Sequence, residues 1–300
     1  MSKKILVVGM ARSGLAAVKY LAKKGHRVFV NDSKSIEDLG QVLDELKAYE
    51  GLEYILGQDP SIEVLAQLDL VVVSPGVPLD LDFLVRLREM GKEVISEIEL
   101  AYREGLEKDI KFIAITGTNG KTTTTSIVGE ICKEAGLDTY VVGNIGNPAI
   151  SAVEEAQPGA VLVTELSSFQ LEAVYDFRPE VSTVLNLTED HMNRHHTMEN
   201  YARAKANIFA KQTPEMVCVL NYDDPITRKM GTSCPARPVY FSRQARPNGG
   251  IYLDDKENII AVKDGVELEI VNAEELSLPG GHNLENSMAA IGHRLHLQAY

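Results

Sequence analysis

Ile115-Thr116-Gly117-Thr118-Asn119-Gly120-Lys121-Thr122-Thr123 follows an apolar strand, Phe112 to Ile115, and opens a helical pattern. Strand, glycine turn and helix in that order read as a loop for a nucleoside triphosphate. The glycines let backbone N–H groups face phosphate oxygens, and the helix N-terminus adds its dipole. Lys121 reaches the β and γ phosphates, and the Thr122 hydroxyl suits Mg²⁺. Gly117, Thr118, Asn119, Gly120, Lys121, Thr122 and Thr123 are thus the candidate phosphate-binding residues. The usual pattern has a glycine where Ile115 stands, so this is a shortened variant beginning at Gly117. Kinase, ATPase and ligase chemistry all stay open on the loop alone.

Outward from the loop, short apolar runs alternate with helical patterns. Ile5 to Val8, Val28 to Val30, Leu70 to Val73 and Glu93 to Ile95 alternate with Leu15 to Lys24 and Ile36 to Tyr49. That β-α-β rhythm predicts a parallel sheet. A polar stretch, Tyr102 to Asp109, separates this unit from the next, placing a Rossmann-like domain at 1–105 and a P-loop ATPase-like α/β domain at 106–300. The second unit continues with strands at Tyr140 to Val142, Val161 to Thr164, Val181 to Leu187 and Met216 to Asn221, and with helices at Thr123 to Ala135 and Met198 to Ala210. Beyond Pro235, Val239 to Ser242, Gly250 to Asp254, Ile259 to Lys263 and Val266 to Val271 read as short hairpin strands, a small added antiparallel sheet.

The 300 residues are 44% hydrophobic and 24% charged, as in a soluble globular protein long enough for two domains. The N-terminus enters a strand at once and no apolar run spans a membrane, so a cytoplasmic protein is expected. The formal charge of −13 argues against nucleic acid or an anionic membrane as partner, while leaving small anions open. Cys132, Cys218 and Cys234 form no metal-like pair and read as ordinary thiols. A monomer is expected.

A second glycine turn, Gly9-Met10-Ala11-Arg12-Ser13-Gly14, also joins strand to helix, and Asp32 ends the next strand where a ribose-binding acid would lie. NAD or FAD, another nucleotide, and plain helix–strand packing all fit. The alanine weakens the dinucleotide option, because a Cβ there hinders approach of a pyrophosphate. Ser74-Pro75-Gly76 ends another strand of the same unit, at the sheet edge where such folds bind ligands.

After the phosphate loop, the strand Ala160 to Thr164 ends in Glu165, a metal candidate or a helix-capping carboxylate. His191 follows another strand through Thr188-Glu189-Asp190 and is placed to bind Mg²⁺ or substrate; His195 and His196 read as exposed loop residues. Lys205, among alanines on a helix, reads as a solvated lysine, and Asn283 in Gly281-His282-Asn283 as a helix cap or an adenine contact.

Taken together, TGTNGKTT at 116–123, GNIG at 143–146, ELSSFQL at 165–171, NLTEDHM at 186–192, Ala204-Lys205 and GHNLEN at 281–286 resemble the Mur ligases, with ELSSFQ and TEDHM nearest their D-glutamate-adding branch. The resemblance implies ATP-dependent ligation of D-glutamate to UDP-MurNAc-L-alanine through an acyl phosphate, in peptidoglycan precursor synthesis. It implies two Mg²⁺, held by Thr122, Glu165, His191 and a carbamylated Lys205. Lys121, Lys205 and His191 become the catalytic residues, and Asn283 and Asn286 join the ATP contacts. Arg12, Ser13, Gly14, Ser33, Ser74, Pro75 and Gly76 are assigned to UDP, and Asn144, Ser167 and His191 to the sugar-peptide end. A ligase adding meso-diaminopimelate or lysine is the nearest alternative within the family, and a folylpolyglutamate synthetase a more distant one. The family's third, amino-acid-binding domain has no counterpart in these residues, which makes a UDP-substrate- and ATP-binding fragment the other expectation. After Ile291 the tail reads unlike the apolar helix the family implies.

Overall fold

Runs such as Lys4–Val8 and Leu70–Val73 are apolar almost throughout, the pattern of strands covered on both faces by helices. The computed structural model describes residues 2–277 and 279–297. In it the first domain alternates β1 (Lys4–Val8), α1 (Arg12–Lys23), β2 (Arg27–Asp32), α2 (Gly40–Leu46), β3 (Leu52–Leu56), α3 (Ile62–Gln67), β4 (Leu70–Val73), α4 (Asp82–Glu89), β5 (Val94–Ser96) and α5 (Glu97–Leu106). All its strands pair in parallel in the order β3-β2-β1-β4-β5. The order reverses between β1 and β4, so the turns after these two strands, Gly9 to Gly14 and Ser74 to Gly76, flank the switch point where doubly wound sheets take ligands.

The second domain runs β6 (Lys111–Thr116), α6 (Lys121–Glu134), β7 (Thr139–Gly143), α7 (Ala149–Glu155), β8 (Val161–Glu165), α8 (Ser168–Leu171), β9 (Val181–Val184), α9 (Met192–His195), α10 (Met198–Ala206), β10 (Val217–Asn221), α11 (Pro225–Met230), β11 (Arg237–Ser242), β12 (Ile251–Leu253), β13 (Asn258–Lys263), β14 (Val266–Asn272) and α12 (Gly281–Leu297). One nine-stranded sheet holds all of these strands, in the order β14-β13-β12-β11-β10-β9-β6-β8-β7. The late strands therefore extend the main sheet: β11 pairs in parallel with β10 and β12 and so forms no hairpin, and β12, β13 and β14 pair antiparallel. Strand β6 lies between β9 and β8, so the phosphate loop, Glu165 and the segment leading to His191 all leave the same sheet edge.

The structure adds detail at the boundary and changes one expectation at the tail. The polar stretch Tyr102 to Asp109 begins on α5, where Tyr102 is buried, its ring edge-on to Phe112 and Phe177 of the second domain, each 5.4 Å away. The tail is helical through Leu297, because Met288, Ala289 and Ala290 pack on the sheet and His293 hydrogen-bonds the Thr183 hydroxyl; its last three residues, 298–300, lie outside the described residues.

Helix α5 also grips α7 at both ends. Ile150 N–H donates to Glu97 Oε1 (2.7 Å) at the N-terminus of α7, and Lys108 Nζ, just beyond α5, donates to Val153 and Glu154 carbonyls (2.6 and 3.1 Å) at its C-terminus. The cation at the end complements the helix dipole. One apolar cluster runs from Ile5 and Val18 through Ala101 to Phe112 and Val153, joining the domains. All three cysteines are free; burial, together with the nearby Cys234, pushes the Cys218 thiol pKa up, and Cys218 in turn pushes the Cys234 thiol pKa down.

Candidate active site

Gly120 precedes α6 with φ of 82°, a left-handed conformation that glycine adopts without steric penalty. A Cβ at that position would stand 2.2 Å from Asn286 Oδ1, so the close fit of α12 over the loop also requires glycine. Lys121 Nζ donates to the carbonyls of Gly117 (2.9 Å) and Thr118 (2.8 Å). Burial lowers its pKa, opposed by the negative charges of Glu165 and Asp190.

The Glu165 side chain, 1% exposed, ends β8 directly beside the loop. Its Oε2 accepts the Thr122 hydroxyl (2.8 Å) and its Oε1 the Asn144 amide (2.9 Å), while Asn144 N–H donates to Glu165 O. Thr122, Glu165 and Asn144 thus form one cluster. Lys205 corrects the solvated-lysine reading: it is 1% exposed, because α10 turns it inward beneath the loop. Its Nζ donates to Gly117 O (2.8 Å) and Thr116 Oγ1 (3.1 Å) and lies 4.9 Å from the centre of the Tyr201 ring. Burial, reinforced by Lys121, brings its pKa down to about 7.

His191 immediately precedes α9 with φ of 56° and stays exposed, its Nε2 3.3 Å from Asp190 and its ring 4.8 Å from that of Phe169. No hydrogen bond or ion pair joins it to Glu165 or Lys205, and among the described residues no three His, Cys, Asp or Glu side chains converge as a metal site. Ser167 caps α8 in a reciprocal box with Gln170. His195 overturns the exposed-loop reading. It is 5% exposed, with Nε2 2.9 Å from the Ser168 hydroxyl and Nδ1 3.6 Å from Glu172, and burial lowers its pKa. His196 is exposed, as expected. Asn283 is the third residue of α12 rather than its cap, and its amide donates to Pro279 O (2.9 Å).

At the first domain's switch point, a cavity of about 490 Å³ is lined by Gly9, Asp32, Ser33, Lys34, Ser74 and Gly76 among others. Asp32 is committed to backbone: Met10 N–H donates to its Oδ2 (2.6 Å) and Lys34 N–H to its Oδ1 (2.9 Å). The carboxylate therefore stiffens the glycine turn. Gly14 packs α1 onto that turn so closely that a Cβ would meet Gly9 O at 1.8 Å. Ser74 donates to Gly9 O (2.7 Å). Arg12, Ser13 and Gly14 begin α1 without lining the cavity; Pro75 sits in the adjoining turn.

Two residues of the loop's surroundings escaped the sequence reading. Asn186 accepts Asn119 N–H (2.8 Å) and donates to Asn119 O (3.1 Å), and the Tyr201 and Thr118 hydroxyls lie 3.2 Å apart. Asn186 opens the NLTEDHM segment; nothing in the pattern singles out Tyr201.

A doubly wound domain with its own pocket, joined to a phosphate-loop domain with a carboxylate and a buried lysine at the loop, defines a two-domain α/β protein of the phosphate-loop class. The comparisons carry this further. Residues 115–293 match the Mur ligase middle domain and residues 3–96 the Mur ligase MurD-like N-terminal domain, and the chain belongs to the Mur ligase family. It is 55% identical to the UDP-N-acetylmuramoylalanine–D-glutamate ligase of Clostridioides difficile (strain 630), over 96% of this chain and 63% of that protein. To the ligase of the same name from Alkaliphilus oremlandii (strain OhILAs) it is 51% identical, over 98% of this chain and 64% of the relative. The chain thus spans less than two thirds of the length of these relatives. Among solved structures, the UDP-N-acetylmuramate:L-alanyl-gamma-D-glutamyl-meso-diaminopimelate ligase of Neisseria meningitides shares the fold, with a TM-score of 0.59 at 18% identity over 99% of this chain and 94% of that one. The UDP-N-acetylmuramate-alanine ligase of Thermotoga maritima does so at 0.54 and 22%, over 99% and 65%. Among the described residues no helix is long and apolar enough to cross a membrane.

Proposed function

We propose that this chain ligates D-glutamate to UDP-MurNAc-L-alanine at the expense of ATP, as a cytoplasmic step of peptidoglycan precursor synthesis. The observation that carries the reading is the convergence of Lys121, Thr122, Glu165 and Lys205 on one phosphate loop. A carboxylate is a poor electrophile. Its oxygen takes the γ-phosphoryl group of ATP as the bond to ADP breaks; the amine of D-glutamate then attacks the carbonyl carbon, inorganic phosphate leaves, and the nitrogen loses a proton to give the amide. Lys121 offsets charge on the transferred group.

In this reading Gly117 to Thr123, Asn283 and Asn286 hold ATP. Arg12, Ser13, Gly14, Ser33, Ser74, Pro75 and Gly76 hold UDP, and Asn144, Ser167 and His191 the sugar-peptide end. Mg²⁺ takes hard oxygen donors and keeps several waters, so the paired Thr122 hydroxyl and Glu165 carboxylate fit one ion. Lys205 as an amine offers no such donor. Addition of CO₂ to the unprotonated amine, which burial favours, gives an oxygen anion that would hold a second ion with His191. When bound, the ions neutralise charge on the phosphates.

Phosphate release from ATP and UDP-MurNAc-L-alanine, with and without D-glutamate, tests the proposal on this chain itself. Amino-acid-dependent release supports ligation. Binding of both nucleotides without such release supports the second reading, a UDP-substrate- and ATP-binding module. Lys205→Ala is expected to abolish turnover and to remove a carbamate resonance seen with ¹³C-bicarbonate; wild-type turnover in that variant would eliminate the carbamate.

A further inference from the structure

Arg194 lies at the end of the turn that His191 begins, and its side chain is 16% exposed. Glu172 receives its Nη2 at 2.5 Å and its Nε at 3.4 Å, and the guanidinium carbon stands 4.9 Å from the centre of the Phe169 ring. Both partners belong to the second domain, so the ion pair is complete within it. The remaining bond leaves the domain: Nη2 also donates to Val77 O of the first domain at 3.0 Å. Val77 in turn belongs to the wall of the first-domain cavity. Its N–H donates to Ser74 O (3.0 Å), Ser74 donates to Gly9 O, and its Cγ2 would lie 2.7 Å from a Cβ on Gly9.

A cleft of about 750 Å³ opens at this crossing, lined by Gly76, Pro78, Phe169, Asn193 and Arg194 among others. It shares Gly76 and Pro78 with the first-domain cavity. A ligand anchored in that cavity by its nucleotide end has to cross between the domains to reach the phosphate loop, and reacting groups misplaced by about 1 Å lose on the order of a hundredfold in rate.

We infer that Arg194 is a positioning residue, which sets how far the UDP-binding turn stands from the phosphate loop and touches no reacting atom. The inference rests on the ligase reading above. A planar fork holds Glu172 and Val77 O at once; the single ammonium of a lysine does not reproduce that geometry.

The test is calorimetric binding of three probes, UDP, UDP-MurNAc-L-alanine and a non-hydrolysable ATP analogue, to the wild-type chain and to Arg194→Lys, Arg194→Met and Glu172→Gln. Both Arg194 variants should bind UDP and the ATP analogue as wild type does, and the domain-spanning UDP-MurNAc-L-alanine about tenfold more weakly, the worth of one charge-assisted hydrogen bond. Glu172→Gln removes the ion pair but leaves the bond to Val77, and should bind all three as wild type does. Arg194→Lys keeps the positive charge and serves if the methionine variant does not fold. Unchanged affinity for the spanning ligand in the Arg194 variants overturns the inference, as does equal loss for all three probes or an equal effect of Glu172→Gln. A wild-type chain that binds neither UDP ligand refutes the functional reading and this inference with it, whereas wild-type binding with unaltered variants refutes this inference alone.

Discussion

Glu97→Gln should flatten the pH dependence of stability by an amount that follows from the burial of one carboxyl. Glu97 is 1% exposed; it accepts backbone N–H groups from Ile150 and Ala149, and its Oε2 has no partner. Burial outweighs the two N–H donors and pushes its pKa from 4.5 up to about 7, with no charged neighbour contributing. An acid with a raised pKa in the folded chain stabilises fully below its unfolded value of 4.5, and that stability is lost as pH rises through about 7. At about 1.36 kcal/mol per pH unit the whole effect is about 3 kcal/mol, of which about 2.5 kcal/mol falls between pH 5 and 8. Glutamine keeps an acceptor for Ile150 and cannot ionise. Urea unfolding at pH 5 and pH 8 should therefore show the wild type losing about 2.5 kcal/mol more than Glu97→Gln over that interval. Equal losses would refute the reasoning, as would a ¹³C-carboxyl titration of Glu97 centred near its ordinary value.

Gly120→Ala combines a left-handed backbone with a clash against Asn286, so it should cost about 1–2 kcal/mol of stability and weaken binding of an ATP analogue at least about tenfold; calorimetry showing unchanged affinity would sink the assignment. Arg12→Ala should raise the KM for the UDP substrate, through loss of a cation at the start of α1; an unchanged KM would take Arg12 out of the site.

The parallel sheets were legible because their strands are nearly unbroken apolar runs bounded by glycine turns, as at Ile5 to Val8 and Phe112 to Ile115. Strand β3 was not: at the sheet edge its residues are only partly buried or exposed, so Leu52–Leu56 carries no such run. Glu165 was readable from its place at a strand end. Lys205 was not readable from helix periodicity, because its burial comes from the loop above it and from Tyr201, which local pattern does not encode. His195 was misread for the same reason: its partners Ser168 and Glu172 lie on the far side of β9 in sequence.

The contact of Gly120 with Asn286 has a consequence for how the chain is made. The two residues are 286 − 120 = 166 positions apart, so at roughly 5–20 residues per second the ribosome needs on the order of ten seconds or more between them. The phosphate loop is thus translated well before the helix that packs over it. Until α12 emerges, any nucleotide that meets the nascent chain finds a cradle open on one side. Help from ATP in closing that cradle is confined to the time after α12 has been made.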